Sequence, residues 1–308
     1  MIAIITGATG LIGSRFLERH ASDFSKIYCL GRKPADCECE WIEFDLAEPK
    51  IEELPHADVL FHFAGQTSVY HAKDNMLDDL SVNVIGFLHV LELLKKQSTV
   101  PFVVYAGTAT EVGLTESDLI IDESHCDRPI TFYDISKLTA ENYLLQFVRE
   151  GWVKGCSLRL CNVYGGMKNG KNIERGVIDL VFQKSLRGES LQLFGDGNYV
   201  RDYIHLDDVV DAFYLAALKK ESVNGEFYYI GSSNGMRLKD AFDCVAKLAE
   251  TVTGKLSEIS SVKPPSYLSA IEFRSFVADN SAFNKATGWF PQYTNLESGL
   301  RFSYQHLF

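Results

Sequence analysis

The sequence predicts an α/β fold, with a doubly wound parallel sheet and a smaller C-terminal lobe. Two observations indicate this fold class. Apolar, β-branched runs of strand length alternate with helical segments along the chain. The first such run, residues 2–5, leads directly into a glycine-rich turn and the start of a helix. The length of 308 residues suits about two domains and allows a large buried core.

The glycine-rich turn reads TGATGLIGS and begins where the first strand ends. Gly7 permits a tight turn, Gly10 leaves room for a pyrophosphate beside the backbone, and Gly13 lets the next helix pack on the strand. The free N–H groups at the helix start, which includes Leu11 and Ile12, favour an anion. These five residues are therefore predicted to bind a dinucleotide on a Rossmann-type sheet. A ligand-free βα turn is the alternative, because the spacing is one residue wider than the G-x-G-x-x-G fingerprint.

The composition is that of a globular protein, with 46% hydrophobic and 23% charged residues. The net charge of -11 argues against a nucleic-acid partner, since phosphate backbones attract basic surfaces. No apolar stretch reaches the length of a membrane span, and the glycine-rich turn follows Met1 too closely for a signal peptide. We therefore expect a cytoplasmic protein with neither a membrane nor a nucleic-acid partner.

Seven cysteines are scattered along the chain, an odd number that does not resemble a disulfide framework. Cys37 and Cys39 form a C-x-C pair, but no second pair follows at the spacing of a zinc site. The prediction is therefore free thiols in a reducing compartment and no bound metal.

A second strand is predicted at residues 26–30, and the adenosine ribose of a dinucleotide would lie at its end. An acidic residue there would hold the 2′-hydroxyl of NAD, but this chain continues with Gly31, Arg32 and Lys33. A guanidinium suits a 2′-phosphate, so Arg32 favours NADP over NAD as the cofactor. The alternative is that both basic residues are simply solvated in a loop.

Two further strands are predicted at residues 41–46 and 58–65. The second of them ends in Ala64 and Gly65, small residues that let the backbone approach a ligand. His62 lies just before this pair, between two phenylalanines, and we assign it to the core rather than to the site.

A long amphipathic helix is predicted at residues 79–97, followed by a fifth strand at residues 101–106. The letters GTAT follow this strand directly. Hydroxyl groups at the carboxyl edge of a parallel sheet lie where such sheets bind ligands, which makes Thr108 a candidate site residue.

Tyr133 and Lys137 are four residues apart at the start of another predicted helix, so their side chains share a face. A phenol titrates near pKa ~10, but an adjacent ammonium and a cationic nicotinamide favour the phenolate. Tyr133 is therefore a candidate acid/base. The alternative is that the two residues form a chance pair on the surface. The pair is more specific than that because it follows the glycine-rich turn and Thr108 in the chain.

Nine stretches of the chain resemble one known family. They are TGATGLIGS, FDL, HFAGQTSV, SVNVIGFLHVLELL, AGTAT, FYDISKLTAE, LRLCNVYG, LQLFGDGNYVRDYIHLDDVVDA and VADNSAFNKATGW. With them the chain resembles the extended short-chain dehydrogenase/reductases of the NAD-dependent nucleotide-sugar epimerase/dehydratase family, of the UDP-glucose 4-epimerase type. The resemblance implies a nicotinamide cofactor, a nucleotide-diphosphate sugar as substrate, and a homodimer formed through the helices around residues 81–97 and 134–149.

By this resemblance, Tyr133 is the catalytic acid/base, Lys137 is its electrostatic partner, and Thr108 is the hydroxyl that bonds the reacting oxygen. Tyr133 and Lys137 are also implied to contact the cofactor. The remaining implied cofactor contacts are Asp45 and Leu46 beside the adenine, and Phe63, Ala64 and Gly65 along the dinucleotide.

The resemblance also implies that Thr110, Asn162 and Arg201 contact the sugar nucleotide. The amide of Asn162 offers donors and an acceptor, and the guanidinium of Arg201 can bind a diphosphate with two hydrogen bonds. From the residues alone, a salt bridge from Arg201 to Asp202 or Asp207 remains an alternative.

Three features depart from the family pattern. The letters VG stand at residues 112–113 where YG is common, and YGG stands at residues 164–166 where YGP is common. Both changes fall at the expected sugar pocket. The sugar dehydratases of the family follow the catalytic threonine with an Asp-Glu pair, whereas Thr108 is followed by Ala109 and Thr110, which argues against a dehydratase.

Residues 1–165, with a return at about residues 201–230, are predicted to form the dinucleotide-binding domain. Residues 166–200 and 231–308 are predicted to form the substrate-binding lobe, with the sugar nucleotide in the cleft between the two. The predicted function is an NAD(P)-dependent nucleotide-sugar epimerase that acts by transient oxidation of a sugar hydroxyl. Two alternatives remain: an NADPH-dependent nucleotide 4-keto-6-deoxy-sugar reductase, which Arg32 favours, and a non-catalytic dinucleotide sensor on the same fold.

Overall fold

Fourteen strands and eleven helices are defined in a computed structural model, which describes residues 1–115, 119–166 and 176–307. The strands are β1 (Ile2–Thr6), β2 (Lys26–Gly31), β3 (Glu40–Glu43), β4 (Val59–His62), β5 (Phe102–Thr108), β6 (Leu119–Ile121), β7 (Lys154–Leu160), β8 (Asn162–Tyr164), β9 (Leu191–Phe194), β10 (Val200–His205), β11 (Phe227–Ile230), β12 (Gly235–Arg237), β13 (Ile259–Val262) and β14 (Phe276–Ala278). The helices are α1 (Leu11–His20), α2 (Val69–Asp74), α3 (Met76–Leu80), α4 (Gly86–Leu94), α5 (Phe132–Arg149), α6 (Val177–Leu186), α7 (Leu206–Leu218), α8 (Lys220–Val223), α9 (Leu238–Thr253), α10 (Ser281–Thr287) and α11 (Leu296–Ser303). None of these helices, within the described ranges, has the length and apolar character needed to cross a membrane.

Seven of the strands form one parallel sheet in the order β11-β7-β5-β4-β1-β2-β3. The order reverses between β1 and β4, which is the switch point of a doubly wound sheet, where such folds bind ligands. The predicted α/β class and Rossmann-type parallel sheet are therefore confirmed. The carboxyl ends of β1 and β4 lie side by side, with Thr6 paired to His62, and β5 continues to Thr108 beyond Tyr105, the partner of His62.

Both faces of the sheet are covered, which explains why its strands read as continuous apolar runs. Successive side chains of a strand point to opposite faces. Ile5 lies in the apolar cluster that contains Phe213 of α7, on one face. Ile4 lies in the cluster on the other face, which contains Phe87 of α4 and Leu144 of α5.

The remaining strands form smaller sheets: β8, β10 and β12 form one, β9 pairs with β13, and β6 pairs with β14. A separate apolar cluster joins α6, α9 and α11 and includes Phe182, Phe242 and Leu300. Phe283 of α10 instead packs in a cluster of the parallel sheet. The proposed division into a cofactor domain and a substrate lobe stays a prediction, and residues 167–175 of that lobe lie outside the described residues.

The helix predicted at residues 79–97 is not continuous. It consists of the end of α3, a π-helical turn over Ser81–Ile85, and α4, which ends earlier than predicted. Within the π-helical turn, the buried amide of Asn83 donates to the backbone oxygen of Gln66 at 2.9 Å and to Asp79 at 3.0 Å. The irregular turn therefore coincides with the point where the helix is fastened to the loop after β4.

The strands β3 and β4 are shorter than predicted. They end at Glu43 and His62, whereas the sequence suggested ends at residues 46 and 65. The small and polar residues beyond these strand ends lie in loops, where their backbone is free of the sheet and can face a ligand.

A methyl group at Gly86 is expected to destabilise the fold, although alanine normally favours a helix. Its Cβ would lie 2.3 Å from the backbone oxygen of Leu46, and overpacking of this kind costs about 1–3 kcal/mol. Urea denaturation of Gly86→Ala should show this loss in the free energy of unfolding. Gly31→Ala is the control, because its Cβ would approach no closer than 3.7 Å to the Lys33 oxygen; equal losses in both variants would contradict the explanation.

Candidate active site

The glycine-rich turn packs directly against the loop that follows β4. Gly7 has a φ of +72°, and a Cβ there would lie 2.6 Å from the nitrogen of Ala64. A Cβ at Gly13 would lie 2.3 Å from the Gly7 oxygen, so the first turn of α1 also requires a glycine. Gly10 caps α1 without a side-chain hydrogen bond, which leaves the first N–H groups of the helix for a ligand.

Two adjoining cavities, of about 1070 and 290 Å³, lie over the carboxyl ends of β1, β2 and β4. We call them together the dinucleotide groove. All residues that the sequence assigned to the cofactor outside α5 line it: Gly7, Gly10, Leu11, Ile12, Gly13, Arg32, Asp45, Leu46, Phe63, Ala64 and Gly65. The size of the groove, its glycine-lined wall and the open N-terminus of α1 fit a dinucleotide.

The start of α5 brings the predicted acid/base pair to the end of β5. Thr131 caps the helix, where its hydroxyl oxygen accepts a backbone N–H of the first turn at 3.1 Å. Tyr133 follows, and its phenol lies close to the hydroxyl of Thr108, the last residue of β5. Lys137 is buried one turn further on, with Nζ 4.1 Å from the centre of the Tyr105 ring. The three predicted catalytic residues therefore lie together.

A chain of hydroxyl groups runs from Thr108 to a buried carboxylate. The hydroxyl oxygens of Thr108 and Thr110 lie 2.9 Å apart, and Thr110 donates to Oδ1 of Asp134 at 2.5 Å. Because the one hydrogen of the Thr110 hydroxyl goes to Asp134, Thr108 donates its own hydrogen to Thr110. Thr110, predicted to contact the substrate, is thus engaged in this chain. Asp134 was missed from the sequence, although its place directly after Tyr133 was a signal.

The pKa of Tyr133 shifts in the direction opposite to the sequence-based expectation. Burial raises it, and the nearby acids Asp134 and Glu111 raise it further, so the ammonium of Lys137 does not dominate. Burial also lowers the pKa of Lys137 to about 8, although acidic neighbours, Glu111 and Glu141 foremost, oppose this shift. At neutral pH Tyr133 therefore holds its proton, and Lys137 is mostly charged.

Arg159 of β7 links β5, which carries Thr108, to α5, which carries Tyr133 and Lys137. Its side chain is 1% exposed, and its guanidinium nitrogens lie 2.6 Å from Glu141 of α5, 2.6 Å from Asp127 and 3.0 Å from Glu111. Glu111 also accepts the N–H of Thr108 at 3.1 Å. The buried cation therefore fixes the end of β5 relative to α5. Glu111, the acid that follows the letters GTAT, is part of this ion network.

Buried Arg201 and partly buried Arg274 meet beside Asn162. Arg201 donates to the backbone oxygens of Arg274 and Glu272, the latter at 2.6 Å. Arg274 donates to the side-chain oxygen of Asn162 at 2.9 Å, while its buried Nε has no hydrogen-bond partner among the described residues. Burial, together with the charge of Arg274, lowers the pKa of Arg201 to about 10. A pair of cations with a spare buried donor favours an anion.

The salt bridge considered for Arg201 involves carboxylates that have other partners. Asp202 accepts from a serine hydroxyl after β11 at 2.7 Å, and Asp207 accepts from an arginine of α1 at 2.6 Å. Arg274 was missed from the sequence. Its position just before the VADNSAFNKATGW stretch was the available signal, but nothing local connects it to Asn162, from which it is separated by 112 positions.

His62 lies in the core, as predicted. One of its ring nitrogens lies 3.0 Å from the hydroxyl oxygen of Thr6, and its ring stacks on that of Tyr105. Burial, followed by the charge of Lys137, holds the pKa of His62 well below its usual value, so the ring is neutral.

A glycine-lined dinucleotide groove on a parallel sheet, with a threonine, a tyrosine and a lysine at the neighbouring strand end, is the arrangement of an extended short-chain dehydrogenase/reductase. The family profile described as "NAD dependent epimerase/dehydratase family" matches residues 3–231. The chain belongs to this family, which confirms the resemblance found in the sequence.

Relatives of known identity include both epimerases and a reductase. The chain is 27% identical over 308 residues to UDP-glucose 4-epimerase from Mycolicibacterium smegmatis, covering 95% of this chain and 94% of that protein. It is 26% identical over 302 residues to GDP-6-deoxy-D-mannose reductase from Pseudomonas aeruginosa, covering 96% and 93%. The crystal structure of UDP-glucose 4-epimerase from Thermotoga maritima with UDP-glucose matches with a TM-score of 0.84 and 27% identity, covering 99% and 98%.

The ammonium of Lys137 is expected to titrate near pH 8. Because burial lowers its pKa to about 8, the charged form should dominate below that pH and be lost above it. The ¹³C NMR signal of the Lys137 Cε, assigned by its disappearance in Lys137→Met, should show this midpoint in a pH titration. A midpoint at the value of a solvated lysine, about 10.4, would contradict the burial of this side chain.

Proposed function

We propose that this protein is an NAD(P)-dependent nucleotide-sugar epimerase that acts by transient oxidation of a sugar hydroxyl. The observation that carries the proposal is the close approach of the Tyr133 phenol to the Thr108 hydroxyl at the carboxyl edge of the sheet, with buried Lys137 one helical turn away. Two of the relatives described above are UDP-glucose 4-epimerases. The acid nearest to Thr108 in sequence, Glu111, is bound to Arg159, which argues against an elimination step.

The residues of this chain supply the proton chemistry of the proposed reaction. A bound nicotinamide dinucleotide supplies the two-electron exchange at the sugar carbon. Tyr133 takes up or returns the proton of the sugar oxygen, and Thr108 hydrogen-bonds the same oxygen. The Lys137 ammonium stabilises the phenolate of Tyr133 while the proton is absent. An epimerase must retain the keto sugar and let it turn before the proton returns.

Arg201, Arg274 and Asn162 are proposed to hold the diphosphate of the sugar nucleotide. Arg201 is buried, and the Nε of Arg274 is a buried donor without a partner among the described residues. A diphosphate would offset both positive charges and accept from the spare donor. Since the T. maritima relative was crystallised with UDP-glucose, a UDP-sugar is the first choice of substrate.

A second candidate function is an NADPH-dependent nucleotide 4-keto-6-deoxy-sugar reductase. Arg32 is exposed and lines the dinucleotide groove beside Gly31, where its guanidinium suits a 2′-phosphate. Burial keeps the proton on Tyr133, which is the form that protonates a newly reduced oxygen. The P. aeruginosa relative is itself a reductase. A non-catalytic dinucleotide sensor would have no need of Thr108, Tyr133 and Lys137 together.

We also propose that the protein is a cytoplasmic homodimer. Large apolar side chains are exposed along α3, the π-helical turn and α5, and they include Leu77, Leu80, Ile85, Ile135 and Tyr143. Exposed apolar surface of this extent on neighbouring helices is typical of a helix-bundle contact between subunits. Light scattering of the wild type and of Leu80→Glu tests the dimer, which the added charge should dissociate.

A panel of UDP-, dTDP-, CDP- and GDP-hexoses separates epimerase from reductase. An epimerase should interconvert the stereochemistry of one hexose without net consumption of reduced nicotinamide. A reductase should consume one NADPH for each keto sugar reduced. Absorbance at the reduced-nicotinamide band and NMR of the product follow both quantities. Stoichiometric loss of NADPH with a keto sugar, and no interconversion of any hexose, would overturn the first choice.

Tyr133→Phe is expected to remove turnover while the dinucleotide still binds. The change deletes one hydroxyl, and general acid-base catalysis contributes roughly 10² to 10⁴-fold to a rate. Tyr143→Phe is the matched control, since Tyr143 is an exposed tyrosine on the same helix. Steady-state kinetics and a cofactor fluorescence titration are measured for both variants. Activity of Tyr133→Phe close to that of the control would exclude the assigned role.

Arg274→Gln is expected to weaken the binding of UDP by about tenfold or more, because a charge-assisted hydrogen bond contributes about 1.5–3 kcal/mol. Isothermal titration calorimetry with UDP alone measures this without any turnover. Arg237→Gln is the control, since Arg237 is exposed and its ion pair with Asp240 is long, at 3.9 Å. The same affinity in both variants would remove Arg274 from the proposed diphosphate site.

Arg32→Ala is expected to weaken NADPH binding more than NADH binding, since a guanidinium gains most from a 2′-phosphate. Fluorescence titration with both dinucleotides measures the ratio of the two affinities. Lys33→Ala is the neighbouring control on the same exposed loop. An unchanged ratio in Arg32→Ala would mean that Arg32 is a solvated loop residue.

A further inference from the structure

Three cysteines converge at the connection between β2 and β3. Cys29 lies on β2 and is 1% exposed, whereas Cys37 and Cys39 lie in the connection and are partly exposed. Their Sγ atoms all lie within 4.8 Å of one another. In the part of the chain that the structure describes, no other three His, Cys, Asp or Glu side chains converge in this way. We call these residues the three-thiol cluster.

The backbone holds these thiols in place. The N–H of Cys39 donates to the oxygen of Cys37 at 3.0 Å, which makes a tight turn just before β3 begins. The parallel pairing of β2 with β3 then sets Trp41, two residues after Cys39, opposite Cys29. All three cysteines pack at the same apolar cluster of the sheet. Their convergence therefore follows from strand pairing and not from sequence spacing.

We propose that the three-thiol cluster binds a soft, thiophilic cation of the zinc(II) or copper(I) class. Thiolate sulfur selects such ions over magnesium or calcium. Three sulfurs around tetrahedral zinc lie about 3.8 Å apart, for Zn–S distances of about 2.3 Å. A small closure of the connection therefore brings all three sulfurs onto one ion. On coordination each thiol releases its proton to solvent.

The cluster also meets the requirements of access and of a fourth ligand. Cys37 and Cys39 are partly exposed, so an ion can enter from solvent and a water molecule can complete a tetrahedron. Cys29 contributes the buried end, where an apolar surrounding strengthens the attraction between thiolate and cation. The prediction of no metal from the sequence rested on the lack of a second C-x-C pair, whereas the third ligand comes from the adjacent strand.

A bound ion would restrain the segment that carries Arg32. Residues 30–36 join Cys29 to Cys37, and coordination at both ends closes this short loop. This step rests on the proposed function, which assigns Arg32 to the adenosine end of the cofactor. Because a restrained loop loses less freedom when a 2′-phosphate binds, the metal-loaded protein is expected to bind NADPH several-fold more tightly.

Cobalt(II) tests the site, because its thiolate complexes absorb in the near ultraviolet and the visible. We expect the full-length, reduced protein to show this absorption on titration with Co²⁺, to saturate at an equimolar amount, and to lose the absorption when Zn²⁺ is added. Cys37→Ser and Cys39→Ser should abolish the absorption. Cys126→Ser is the matched control, since Cys126 is an exposed thiol outside the cluster, and it should behave as the wild type.

Two further measurements keep the outcomes distinct. Circular dichroism melting shows that each variant is folded, and Zn²⁺ should raise the Tm of the wild type and of Cys126→Ser only. No thiolate absorption in the folded wild type, or absorption in both cluster variants equal to that of the wild type, overturns the site. Equal NADPH affinity with and without Zn²⁺ overturns the link to Arg32. Failure to bind NADPH in either state contradicts the assignment of Arg32 to a 2′-phosphate, while the absorption still decides the metal site.

Discussion

The guanidinium of Arg159 lies between β5, β7 and α5. It forms ion pairs there with three carboxylates from separate parts of the chain. Removing one partner from a buried ion network leaves an uncompensated charge and costs about 3–5 kcal/mol, so these groups act as a unit. Glu141 lies one helical turn after Lys137 on α5, and Glu111 holds the backbone of Thr108. The distance between the acid/base helix and the strand-end hydroxyl therefore depends on this one cation.

The two ends of the candidate site differ in charge. Around Lys137 the acids Glu111, Glu141 and Asp79 oppose the effect of burial, so a cation is balanced there. Around Arg201 and Arg274 burial prevails, and the pKa of each arginine is lowered. The end around Lys137 suits proton transfer, because its positive charge is compensated by nearby acids. The end around Arg201 and Arg274 suits a negatively charged ligand.

Asp134 lies between these two ends. Its carboxylate accepts from the Thr110 hydroxyl, which is hydrogen-bonded to Thr108, and its charge raises the pKa of Tyr133. Burial lowers the pKa of Arg274, whereas the negative charge of Asp134 raises it. Burial raises the pKa of Asp134, whereas the positive charge of Arg274 lowers it. A ligand that engaged Arg274 would therefore alter the electrostatic surroundings of the hydroxyl chain. Asp134 therefore links the charge at Arg274 to the proton held by Tyr133.

The sequence by itself determined the parallel α/β sheet, the glycine-rich turn and the Thr108, Tyr133 and Lys137 set. These features depend on local spacing: strand length, three glycines within one turn, a hydroxyl at a strand end, and two side chains one helical turn apart. The sheet topology then brings these features together, because the carboxyl ends of parallel strands lie at one edge of the sheet. The tertiary structure alone decided what depends on distant partners. Arg274 reaches Asn162 across 112 positions, Cys29 meets Cys37 and Cys39 through strand pairing, and the pKa of Tyr133 rises because packing removes water from its phenol. Burial and long-range contact arise only when the whole chain is folded, so no local pattern could have contained them.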